Sequence, residues 1–175
     1  TSDINTVKFM VLTPMIISAF YIDYKKQIIP NRLTLTIFEV GLVFTFWQGI
    51  SNLNIAISML QGLVTGGAIF LVITVIGGLI FGKETMGFGD VKMMGALGLY
   101  FGFQGIIAVA IIAFLIAALF SIILLIIQKI RHKEIVEYIA FGPFIVISAF
   151  VVIFVPLELL MVLPFIVFSF GKYKL

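Results

Sequence analysis

Charged residues punctuate an otherwise apolar chain. Uncharged runs extend over 9–22, 33–38, 40–82, 93–128, 138–157 and 159–171, and the charges between them gather into short polar stretches. Apolar runs on this scale match helices that cross a bilayer, which need about 20 residues each. The run 40–82 is too long for one crossing and carries a polar break at Ser51-Asn52-Leu53-Asn54. The run 93–128 is broken in the same way at Gly102-Phe103-Gln104-Gly105. The pattern predicts helices over 7–22, 33–50, 55–82, 90–102, 105–128 and 139–170. The last contains Pro143, Pro156 and Pro164, residues that kink or end helices, so it has the option of dividing into 142–155 and 157–170. The helix 90–102 reaches only about 20 Å, so it is expected to start below the membrane surface or not to span alone. The fold class is therefore all-α: a polytopic membrane helix bundle of six transmembrane helices, or seven if the last segment divides. Residues 1–175 form a single membrane-embedded domain in this reading.

Composition agrees with the pattern. Of 175 residues, 62% are hydrophobic and 11% charged, and the mean hydropathy is +1.28. A soluble domain is about 45–50% apolar and about 25% charged, so a water-soluble globular protein is excluded. A disordered chain, which needs low hydrophobicity, is excluded as well. The net charge of +3 then reports loop topology and contact with anionic lipid rather than nucleic-acid binding. Lys25, Lys26, Arg32, Lys83, Lys92, Lys129, Arg131 and Lys133 fall on one side of the predicted bundle and only Lys8 on the other; Lys172 and Lys174 depend on whether the last segment turns back. By the positive-inside rule the loops 23–32, 83–92 and 129–137 face the cytoplasm, and the N-terminus lies outside. The first basic cluster follows the first apolar run, the reverse of a cleavable signal peptide. With no Cys there is no disulfide, no Cys-based zinc site and no thiol nucleophile, and the single His132 sits in a charged stretch. No metal and no cofactor are expected. The pairs Gly62/Gly66, Gly78/Gly82 and Gly98/Gly102 suit close helix packing within one bundle, and Trp47 falls where an interfacial residue would.

In a chain this apolar the acids carry the information, because an ionisable group at membrane depth is costly to keep. Asp23, Glu39 and Asp90 stand out. Asp23 ends the first helix; on its own it reads equally as a boundary charge beside Lys25 and Lys26. Asp90 follows Gly87-Phe88-Gly89, a backbone that other chains can approach closely, and on its own it reads as the N-cap of the next helix. The charge topology puts both on one side. Two carboxylates brought together do not both ionise easily, so one holds a proton while the other acts as base, a pair able to activate water against a peptide carbonyl. Glu39, inside the second helix, is a candidate to line the cavity or contact substrate.

The residues Asp23 and Ile29-Pro30-Asn31-Arg32-Leu33-Thr34 resemble the first motif of type IV prepilin and preflagellin peptidases. Gly87-Phe88-Gly89-Asp90-Val91-Lys92 resembles their G-x-G-D motif, and Phe141-Gly142-Pro143-Phe144 resembles a late segment of the family. Presenilin-like proteases share G-x-G-D, but their Pro-Ala-Leu motif is absent here. The resemblance covers about 20–147. It implies that Asp23 and Asp90 are the catalytic pair, supported by Pro30, Asn31, Gly87, Gly89, Lys92, Gly142 and Pro143. It implies hydrolysis of a short basic leader peptide from pilin, pseudopilin or archaellin precursors at the cytoplasmic membrane face. Many members also carry a Cys-x-x-Cys segment and methylate the new N-terminus; with no Cys, this chain is expected to act as a protease without zinc or methyl transfer.

Glu84, Glu134 and Glu137 lie on the same side and would offset the lysines toward a basic leader. Lys92 either orients its loop or binds lipid phosphate, the second being the preferred expectation. The loop 83–92 is expected to move when no substrate is bound. Two other functions suit buried acids: a proton-coupled transporter or channel, and a non-catalytic scaffold of a pilus machine. The first calls for internal repeats, which the sequence does not show; the second tolerates Asn at both aspartates. Partners beyond precursors and lipid, and the oligomeric state, are left open.

Overall fold

The computed structural model describes residues 2–81, 86–131 and 140–155. Among them the chain forms five helices and no strand: α1 (Ser2–Lys26), α2 (Asn31–Ser51), α3 (Leu53–Phe81), α4 (Phe88–Arg131) and α5 (Gly142–Phe154). The first four are long and apolar enough to cross a membrane. Helix α1 exceeds the expected 7–22 at both ends. Asp3 in its first turn and Lys25 and Lys26 in its last oppose the charges of the helix dipole. Pro14 lies inside it, as membrane helices tolerate. Helix α2 starts directly after Pro30, whose φ of −64° and ψ of 130° set the entry of the chain.

Both polar breaks prove shorter than expected. Between α2 and α3 only Asn52 is extended, and its side-chain Oδ1 accepts from the Asn54 N–H at 3.0 Å. The six expected helices become five because 90–102 and 105–128 join in α4, interrupted only at Gly102 (φ 67°, ψ −175°). A straight helix of 44 residues would be about 66 Å long, twice the ~30 Å apolar core of a bilayer. Instead the chain doubles back. Gly66 on α3 abuts both Met94 and Ile106, so the two arms of α4 lie side by side against α3. The turn takes one residue because glycine adopts positive φ freely, and the Ser58 hydroxyl accepts the Phe103 N–H at 3.3 Å.

Backbone proximity holds α3 to α4. A Cβ on Gly62 would overlap the Gly98 carbonyl and come within 2.7 Å of the Gly102 carbon. Small residues at such a seam let helices meet where lipid supplies no hydrophobic drive. Helix α5 ends at Phe154, and Val155 is extended (φ −104°, ψ 129°). Pro156 follows, and a residue before proline is pushed out of the helical region. The single helix expected over 139–170 is therefore corrected: its first part ends at Phe154, and 157–170 lies outside the described residues. The core is built from Leu12 and Ile16 of α1, Ile37 of α2, Phe70 of α3 and Met93, Met94, Leu97 and Tyr100 of α4. Tyr100 donates its hydroxyl to the Ile37 carbonyl at 2.9 Å. The outward faces carry Phe46, Trp47, Ile50 and Leu79, as expected of surfaces that meet lipid.

Candidate active site

Three helix ends converge at one end of the bundle. Asp23 comes from the last turn of α1, Asp90 from the first turn of α4, and Gly142 begins α5. Helix α1 stops at Gln27, which adopts φ 53° while its N–H reaches back to the Asp23 carbonyl at 2.8 Å. Asp90 is not the N-cap expected of it. The helix starts two residues earlier, and the Asp90 N–H bonds the Gly87 carbonyl at 3.0 Å.

Both carboxylates are buried, with Asp23 4% and Asp90 7% exposed, and they lie within Coulombic reach of each other. The Gly142 main chain abuts the Asp23 carboxylate so closely that a Cβ there would overlap Oδ2. Gly87 lines Asp90 at a looser distance, with a Cβ position 3.6 Å from Oδ2. Asp23 Oδ2 accepts no hydrogen bond among the described residues. The N-termini of α4 and α5 both point their partial positive charge into this site. Two buried carboxylates within each other's electrostatic reach are costly to ionise together, because the doubly ionised pair repels. Such a pair can present an acid and a base to one bond.

The two motifs are also joined directly. Lys92 Nζ donates to Asn31 Oδ1 at 3.0 Å, linking the first turn of α2 to the start of α4. Ile29 is buried against Gly89, where a Cβ would come within 3.1 Å of the Ile29 Cβ. Pro30 caps α2, and Pro143 stands in the first turn of α5. Glu39 is not brought to the pair. It is exposed on α2, about 12 Å along the helix from Asn31, with no hydrogen bond or ion pair among the described residues. Glu84, Glu134 and Glu137 lie outside the described residues. The motifs alone did not single out Tyr100, which ties α4 to α2, or the Phe70 and Phe114 rings that pack on Phe141 of the late motif at the start of α5. A tyrosine inside a continuous apolar helix is the available signal, since its buried hydroxyl needs a partner.

Comparison with known proteins adds an independent line. A model described as the type IV leader peptidase family matches residues 10–122. The prepilin leader peptidase/N-methyltransferase of Aeromonas salmonicida is 30% identical over 147 residues, 84% of this chain and 48% of that protein. Proteins of the same description from Escherichia coli K12 (30% over 130 residues, 74% of this chain and 55% of that protein) and Neisseria gonorrhoeae (30% over 147 residues, 84% and 48%) are similar to it as well. The chain thus spans about half the length of the curated relatives it matches. No solved structure matches it.

Proposed function

The chain belongs to the type IV leader peptidase family, and from that premise we propose that it is a membrane aspartic endopeptidase acting on prepilin-like precursors. The observation that carries the reading is the meeting of Asp23 and Asp90, buried and mutually in reach, from two motifs 67 positions apart. In the proposed reaction the ionised carboxylate takes a proton from water as its oxygen attacks the scissile carbonyl. The protonated carboxylate donates to the carbonyl oxygen, giving a neutral tetrahedral diol. Collapse of the diol breaks the C–N bond: the first carboxylate gives its proton to the leaving amine, and the second takes one back from a diol hydroxyl. No cofactor enters these steps.

The substrate is a pilin, pseudopilin or archaellin precursor, whose short basic leader precedes an apolar helix. Lys25, Lys26 and Lys92 gather at the dyad end of the bundle, which supports placing that end at the cytoplasmic face of the plasma membrane. A precursor helix already in the membrane would then present its leader at the depth of the carboxylates. The relatives' names join a peptidase with an N-methyltransferase; Asp23 and Asp90 bear on the peptidase. Co-expression with a precursor tests the reading. Asp23→Asn and Asp90→Asn should each abolish leader removal, read as a mobility shift and by mass, while the protein stays in the membrane. Leader removal by either variant would refute the two-carboxylate mechanism.

A further inference from the structure

A second concave site lies on the other side of α4 from the dyad. It is an apolar cleft of about 560 Å³ between α2, α3 and α4. That size falls within the ~300–1,000 Å³ typical of small-ligand sites. Leu35 and Phe38 of α2, Gly67 and Leu71 of α3, and Gly95 and Ala96 of α4 make most of its wall. Its polar side chains, Asn31, Thr34 and Lys92, are all at the dyad end, and among the described residues no carboxylate lines it. We propose that this cleft is a binding site for an anionic phospholipid, with an acyl chain between the helices and the headgroup phosphate at Lys92 and Asn31.

Three features select this occupant. The cleft is amphiphilic along its length, apolar within and cationic at one mouth. Lys92 spends one of its three N–H donors on Asn31, which leaves two for a phosphate, and the Asn31 amide adds its own N–H donors. Between Asn31 and Phe38 the wall is only about 10 Å long, against the ~30 Å that a spanning helix of a partner would present. Helical geometry also separates the cleft from the chemistry. Val91, Lys92, Gly95 and Ala96 face it, and Asp90 sits on roughly the opposite side of the helix, toward Asp23. A lipid seated here would bridge the first turn of α2 and the first turns of α4, the two segments that carry the motifs.

The test is native mass spectrometry of the purified protein titrated with phosphatidylglycerol or phosphatidylcholine; it needs no proteolytic readout, so it stands apart from the proposed function. The protein should retain phosphatidylglycerol in preference to phosphatidylcholine. Lys92→Gln should reduce that preference about fivefold, the effect of one lysine near an anionic headgroup, while phosphatidylcholine retention stays the same. Gly67→Leu should lower retention of both, because a Cβ at Gly67 meets only the Gly95 Cα at 3.9 Å and a larger side chain there fills the cleft. An undiminished preference in Lys92→Gln overturns the proposal, as does equal retention of the two lipids by the parent protein. Should Gly67→Leu not fold, Lys92→Gln decides alone. Displacement of the bound lipid by a peptide of a precursor's apolar segment would reassign the cleft to substrate and equally overturn it.

Discussion

A β-carbon at position 142 would occupy space that the Asp23 carboxylate holds. Gly142→Ala must therefore move Asp23 or the start of α5. Because a misplacement of about 1 Å at a reacting group costs about 100-fold in rate, this variant should lose leader cleavage by roughly that factor in kcat with KM little changed. Steady-state kinetics on a precursor peptide would show it, and a kcat within twofold of the parent would refute this positioning role. Single residues were legible where they were rare. Asp23 and Asp90 are two of eight acids in 175 residues, and in lipid a carboxylate needs a reason to be there. Ile29 closing on Gly89, and Lys92 reaching Asn31, were not legible as contacts, because they join positions about 60 residues apart. Lys92 was expected to orient its loop or, in preference, to bind lipid phosphate; its bond to Asn31 ties the two motifs together.

Within the elements, the apolar pattern indicated where helices lie and overstated how much chain is needed to reverse direction. It read four-residue breaks at 51–54 and 102–105, and each reduces to one residue out of helical geometry. Hydrophobic periodicity records burial and says nothing of backbone torsion. At Gly102 the φ of 67° with ψ −175° is open to glycine and costly for other residues, by roughly 1–3 kcal/mol. A Cβ there would also come within 2.9 Å of the Ser58 hydroxyl. Gly102→Ala should therefore lower the midpoint of thermal unfolding in detergent, and Gly102→Asn should lower it as well, since φ 67° with ψ −175° is a region essentially confined to glycine. Equal midpoints for the parent and Gly102→Ala would show that the reversal does not depend on this torsion.

At the scale of the whole molecule, the charge map assigns an orientation that labelling can check. The chain has no Cys, so each introduced thiol reports alone. A membrane-impermeant maleimide applied to intact cells should label Asn52→Cys, at the α2–α3 turn, and leave Ile28→Cys, beside the dyad, unlabelled. The reverse pattern would place the carboxylate pair on the outer face and remove the basis for cytoplasmic leader cleavage. The sequence by itself determined the helical class, the membrane setting, the charge asymmetry and the identity of the two acids. Each is a property of local composition: an apolar run must satisfy its own backbone in lipid, and an isolated charge within it is conspicuous. Only the tertiary structure decided that α4 folds back at Gly102, that Gly142 closes on Asp23, that Glu39 faces outward and that a cleft with a cationic mouth lies behind Asp90. Those outcomes depend on how closely backbones approach between helices distant in sequence, a quantity set by the packing of the whole bundle.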